Sequence, residues 1–176
     1  MIDFSRNHFE LFGVPAQFRV DEAALERAYR ALQTEVHPDK HASSTDANRR
    51  MSLQASARVN EAYRTLREPV LRAEYLLSLH GVKAGEETDT ALSFDFLESA
   101  LERRESVANA AAAGDERALE IMLDQVREES QSRERELGHL LDADHAWDAA
   151  REKVRELRFL AKLAQDIDVA IAQAET

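Results

Sequence analysis

Cysteine is absent from the 176-residue chain, and glycine (five) and proline (three) are scarce. Without cysteine there can be no disulfide framework, no thiolate-held zinc or iron-sulfur cluster and no thiol nucleophile. So few turn formers, with few alternating β-branched runs, leave a sheet little to fold back on, and helices are expected to carry the fold. Long apolar runs are missing as well. The longest stretch without a charged residue is 106–114, far short of the roughly 20 apolar residues that a membrane-spanning helix requires. The first ten residues, MIDFSRNHFE, hold neither an apolar signal core nor an Arg-rich transit segment, so the cytoplasm is the expected location. A Gly-rich phosphate loop is absent too, and ATP binding is not expected.

What is present is the composition of a folded chain: 44% hydrophobic and 32% charged residues, at a length where a core is sustainable without staples. The net charge of -11 is unevenly placed. Residues 1–80 hold 11 Lys+Arg and 11 Asp+Glu, whereas residues 81–176 hold 12 and 23. The break suggests two units with different partners, and the acidic larger half argues against nucleic acid.

Helical periodicity organises both halves. Asp21 suits an N-cap before Leu25, Tyr29, Leu32 and Val36, which share one face of a helix that must end near Pro38. After the polar stretch 41–46, Met51, Ala55, Val59, Ala62, Tyr63 and Leu66 draw a second stripe, and the two helices can close as an antiparallel hairpin. A short turn at Phe9–Phe12 is expected to pack beneath it. Pro69 suits the first turn of a further helix with Gly81 at its end. The polar segment 81–90 (GVKAGEETDT) reads as a linker. Three helices are expected beyond it, about Phe94–Ala113, Asp115–Leu141 and Asp144–Ala174, joined by short connections as an antiparallel bundle. The last carries a stripe of Trp147, Ala150, Val154, Leu157, Leu160, Ala161, Ala164, Ile167 and Ile171. Phe159 lies about 150° from the centre of that stripe at helical pitch, so it is expected to be an exposed aromatic. The reading is all-α, divided into 1–80, a linker 81–90 and 91–176.

Between the first two long helices stands His37-Pro38-Asp39-Lys40. Proline fixes its own φ and pushes His37 toward extended backbone, so the Asp39 carboxylate is expected at the hairpin tip with little freedom. Arg27, Arg30 and Thr34 form a polar face opposite the apolar stripe, and the acid would lie at the end of a basic ridge. His37, Asp39 and His41 are also possible metal ligands, and a metal-dependent hydrolase is the reading from a different class. The proline and the loop context place them in no regular ligand geometry, and no further His or Cys is clustered nearby. The remaining histidines, His8, His80, His139 and His145, are scattered, and are expected to be structural or solvent-facing. A passive helical oligomer is a further alternative, weakened by 128–136, where no heptad is sustained.

ALERAYRALQTEVHPDK and VNEAYRTLREP, with the His37-Pro38-Asp39 tripeptide between the helices, resemble the J domain, by which co-chaperones trigger ATP hydrolysis in DnaK-type chaperones. VLRAEYLLSLHG at 70–81, the acidic bundle, and WDAAREKVRELRFLAKL at 147–163 resemble the HscB branch of that family, which serves iron-sulfur cluster assembly. The resemblance covers nearly the whole chain. It implies a regulator and not an enzyme, with no cofactor of its own and acting as a monomer: the J domain engages the DnaK-like chaperone HscA, and the bundle binds and delivers the cluster scaffold IscU. By matching position, His37, Pro38 and Asp39 would stimulate the chaperone ATPase, with Arg27, Arg30 and Lys40 on its acidic surface. Glu26 and Glu35 dilute the basic helix relative to many J domains. Leu97, Leu101, Glu102 and Glu105, with Phe159, would meet the scaffold, and Glu98 stands where the family commonly has an apolar residue. A J-domain adaptor for some other client is the near alternative.

Overall fold

The computed structural model describes residues 3–36, 45–84 and 92–174. Every regular element among them is an α-helix: α1 (His8–Phe12), α2 (Glu22–Val36), α3 (Asp46–Arg67), α4 (Pro69–Leu79), α5 (Phe94–Ala113), α6 (Glu116–Asp142) and α7 (Trp147–Ala174). They fall into two compact units, Met1–Leu76 and Leu77–Thr176, so the last turn of α4 belongs to the second. Most of the expected 81–90 linker lies outside the described residues.

Local chemistry sets the helix ends. The Asp21 carboxylate accepts from the Ala24 N–H at 2.9 Å and opens α2, as expected of an N-cap. Thr45 and Ser93 do the same for α3 and α5, and Asn7 and Glu10 form a reciprocal capping box on α1. Gly114 ends α5 at φ 64, with its own N–H and that of Asp115 turning back to Ala111 and Ala110 carbonyls. A side chain there would be strained by that left-handed backbone. Between α6 and α7, His145 holds φ 51 while its ring Nδ1 lies 3.1 Å from the Leu141 carbonyl oxygen. That turn delays the start of α7 to Trp147, three residues later than periodicity suggests.

In the first unit, α2 and α3 run antiparallel. Tyr63 meets Glu26 and Tyr29, Asn60 meets Tyr29 and Gln33, and Ser52 Oγ donates to the Val36 carbonyl at 2.6 Å. Residue numbers fall on one helix as they rise on the other. The Ser52 bond also satisfies one of the orphan carbonyls at the end of α2. Leu25 and Val36 of α2 are buried against Ala55, Val59, Ala62 and Leu66 of α3, with Phe9, Phe12 and Phe18 completing this core. Met51, expected on the apolar stripe, is 40% exposed, because Ser52 takes the inward position in that turn. Arg72 of α4 is buried, donating to the Leu66 carbonyl at 2.7 Å with its guanidinium over the Phe18 ring.

In the second unit, Val107 and Ala110 of α5, Leu119, Leu123 and Val126 of α6, and Leu160, Leu163 and Ile167 of α7 form one cluster. The segment of α6 without a heptad carries a charged belt instead. Arg133 reaches Glu129 (3.4 Å), Glu136 (3.5 Å) and, on α7, Glu156 (3.0 Å); Lys153 reaches Glu136 and Glu156; Arg103 of α5 pairs with Glu129 at 2.5 Å. The apolar seam resumes at Leu137 and Leu141 with Ala150, Val154 and Leu157. The expected stripe of α7 is departed from on both sides: Ala161 is exposed, whereas Leu163 and Arg155, outside that stripe, are 2% and 8% exposed. Near the start of α7, Trp147 stacks on His80 at 3.9 Å.

His8 gives the first unit a pH dependence. Its ring is buried and stacked on Tyr75 at 4.1 Å, and its Nδ1 has no hydrogen-bond partner among the described residues. Burial, then the Arg58 charge, hold the imidazole below its ordinary value, with Glu61 pulling the other way. As pH falls through about 6.5 the unfolded chain therefore takes up a proton that the folded chain resists, and stability is lost. A His8→Phe variant, which keeps the stack, should show a flatter decline of melting temperature between about pH 7 and pH 5 than the parent chain. Parallel declines in the two proteins would show that another group is responsible.

Candidate functional site

The tip residues His37, Pro38, Asp39 and Lys40, and His41 with them, lie outside the described residues. What the structure places are the two helices that flank them and the side chains on their outer face.

Arg27 and Arg30 are both exposed on α2, as periodicity requires of residues off the Leu25–Val36 stripe. Their circumstances differ. Among the described residues Arg27 makes no ion pair, whereas Arg30 Nε donates to Glu26 Oε1 at 2.7 Å. Glu26 is held from a second helix as well, because the Tyr63 O–H donates to its other carboxylate oxygen. The Tyr63 and Arg30 hydrogen bonds together hold the Glu26 carboxyl below the usual range, and the Glu26 contact followed by burial pushes the Tyr63 phenol up. Tyr63 is itself fixed: its ring stacks on Tyr29 at 3.9 Å and 15°, and the Arg67 guanidinium stands 5.9 Å from its centre. Tyr29 in turn donates to Asn60 at 3.0 Å. Tyr29, which sequence placed on the apolar stripe, is half-buried and belongs to this interhelical polar cluster.

On the bundle, α5 presents Leu97 (42% exposed), Leu101 (69%), Glu102 and Glu105 to solvent. Leucines so open on a well-packed helix are not serving the core, which α5 fills with Ala100, Val107 and Ala110. Glu98 is exposed on the same side. Phe94, at 78% exposure, extends the apolar row by one turn. Sequence reasoning missed it, although a phenylalanine directly after the Ser93 cap, out of phase with the buried Ala100 and Val107, was the available signal.

Phe159 departs from expectation. It is half-buried and not free, packed against the bundle cluster with its ring edge-on to Phe96 at 5.5 Å and beneath the Arg104 guanidinium. The physical reason is that α7 buries two arcs, one against α6 and one against α5. Phe159 shares the second arc with Leu163, four residues on. The apolar row of α5 and the rim of Phe159 therefore stand on adjacent helices. No group of three or more His, Cys, Asp or Glu among the described residues is arranged to hold a metal ion; the His37, Asp39 and His41 set falls outside them. No helix among the described residues is long and apolar enough to cross a membrane.

Residues 7–75 match the family described as DnaJ domain, and residues 93–168 the one described as HSCB C-terminal oligomerisation domain. The chain is 48% identical over 176 residues to the co-chaperone protein HscB homolog of Burkholderia multivorans, with all of both chains covered. It belongs to the HscB co-chaperone family. The HscB homolog of Aromatoleum aromaticum is 46% identical, with 99% of each chain covered. Among solved structures, chaperone HscB from Vibrio cholerae superposes with TM-score 0.85 at 36% identity, covering 96% of this chain and 99% of that one. Human co-chaperone protein HscB gives 0.88 at 30%, covering 96% and 83%. As an HscB-family member with a J domain, the chain is a co-chaperone, a regulator and not an enzyme. The DnaJ match runs from the Asn7 cap of α1 to Tyr75 in α4 and takes in His37, Pro38 and Asp39; the HscB match runs from the Ser93 cap of α5 to Asp168 in α7.

The half-buried place of Phe159 has a measurable consequence. Phe159→Ala should destabilise the bundle by about 1–3 kcal/mol, below the ~3–5 kcal/mol of a fully buried phenylalanine. Urea unfolding followed by fluorescence of Trp147, the sole tryptophan, reads this directly. A change under about 0.5 kcal/mol, the ordinary surface range, would return Phe159 to the free surface.

Proposed function

We propose that this chain stimulates the ATPase of a DnaK-type chaperone of the HscA kind and delivers to it a scaffold protein of the IscU kind that carries an iron-sulfur cluster as cargo. The reading is carried by one observation: the DnaJ match encloses His37-Pro38-Asp39 in the connection between α2 and α3, two helices paired antiparallel with Arg27 and Arg30 exposed on α2. In this reading residues 1–80 act on the chaperone, 81–90 link, and 91–176 hold the scaffold, with one copy of the chain in the complex.

Each group has a distinct task. Asp39 offers its carboxylate to a cationic side chain of the chaperone, with His37 and Pro38 fixing its presentation. Arg27, Arg30 and Lys40 meet acidic groups around it. A charge-assisted bond of that kind contributes about 1.5–3 kcal/mol, enough to shift a poised two-state ATPase by one to two decades. On the bundle, Leu97, Leu101 and Phe94, with the edge of Phe159, supply apolar area, and Glu102 and Glu105 supply charge toward a basic rim on the scaffold. Burying three such side chains gains roughly 5–9 kcal/mol gross, most of it offset by association costs of ~4–15 kcal/mol. The capture is thus weak and reversible, as suits a delivery step.

Two variants separate the two surfaces. In steady-state ATPase assays with chaperone and scaffold, His37→Gln should reduce stimulation at least tenfold while far-UV circular dichroism stays unchanged. Equal stimulation by the variant would remove the role of the tip. Leu101→Ala should weaken scaffold binding by about five- to thirtyfold in titration calorimetry and leave scaffold-independent stimulation intact. If it binds the scaffold normally, the client is held elsewhere or is a different protein.

A further inference from the structure

Arg27 and Arg30 stand three residues apart on one exposed face, yet of the two only Arg27 makes no ion pair among the described residues. Arg30 is engaged by Glu26 at 2.7 Å. An exposed pair one helical turn apart is ordinarily loose and easily exchanged. Here the acid is not loose, because its second oxygen accepts from Tyr63 of α3. Tyr63 cannot swing away without breaking its stack on Tyr29, which is tied to Asn60. The groups facing Glu26 are Arg30 on its own helix and Tyr63 and Arg67 on α3, so the surroundings of the carboxylate are cationic or donating. A fixed anion thus occupies the guanidinium that an acidic partner would use.

We propose that Glu26, anchored by Tyr63, is an in-built competitor that lowers the affinity of the α2 face for the acidic surface of its chaperone partner by keeping Arg30 occupied. The proposal rests on the reading of Arg27 and Arg30 as chaperone contacts. Docking exchanges the Glu26–Arg30 pair for a pair between Arg30 and the partner, and the carboxylate left behind retains Tyr63 and faces Arg67. Glu26 is a positioning residue for Arg30, and Tyr63 sets how firmly it competes. The device leaves the response of the chaperone, once docked, untouched, so it acts on the concentration needed and not on the rate reached.

The test is chaperone ATPase stimulation titrated with the full-length chain at low and high ionic strength. Glu26→Gln removes the charge while its amide oxygen can still accept from Tyr63, so the stack survives. It should lower the concentration for half-maximal stimulation roughly two- to fivefold at about 0.05 M salt, leave the maximal rate unchanged, and lose that advantage near 1 M salt, where screening acts within about 3 Å. Tyr63→Phe, which keeps the ring and frees the acid, should give a smaller gain in the same direction. In an Arg30→Ala background the effect of Glu26→Gln should shrink below about 1.5-fold. Unchanged or weakened docking by Glu26→Gln overturns the proposal, as does a gain of equal size in the Arg30→Ala background, which would mark a general charge effect. If Arg27→Ala and Arg30→Ala both titrate like the parent chain, the contact reading itself fails, and the competitor with it.

Discussion

The stack of Tyr29 on Tyr63, tied at one hydroxyl to Asn60 and at the other to Glu26, sets the register of α2 against α3. The functional reading depends on that register, since these two helices flank His37-Pro38-Asp39 and since Arg27 and Arg30 project from one of them. Aromatic pairs of this kind add about 0.5–1.5 kcal/mol beyond area burial. More important is that a stack with two directional hydrogen bonds fits in one alignment, whereas small apolar residues such as Ala55 and Ala62 would tolerate sliding. Ser52, bonded to the last carbonyl of α2, fixes the same alignment at the end next to the connection.

Much of this is legible in the chain itself. Caps and breakers are local: Asp21, Pro69, Gly81 and Gly114 act through their own backbone or the next turn, so the helix boundaries they set could be read from order alone. The bundle was legible for the same reason. What failed to show was whatever depends on two helices at once. A single helical wheel assigns one buried face, and α7 has two, which is why Phe159 is half-buried where the wheel makes it exposed and why Leu163 is buried off the expected stripe. Met51 failed in the opposite sense, because a hydroxyl at Ser52 with a carbonyl to satisfy took the position a hydrophobe was expected to fill.

The candidate surfaces divide along the same line. The exposure of Arg27, Arg30, Leu97 and Leu101 follows from their phase relative to each helix's own stripe. The tethering of Glu26 by Tyr63 joins residues 37 apart in the chain and leaves no periodic trace. Sequence shows Glu26, like Glu35, as an acid diluting the Arg27 and Arg30 face; only the packed hairpin shows that the Glu26 charge is gripped.

The charged belt of the bundle has a mechanical corollary. Arg133 lies opposite Glu156, with the apolar cluster on one side and Leu137 on the other. Shift α6 along α7 by one turn, and the guanidinium comes to rest beside Leu160 while Glu156 faces Leu137, each ion stranded against hydrocarbon. The belt is a tooth in a rack: it adds little grip of its own, and it blocks a slip in that direction.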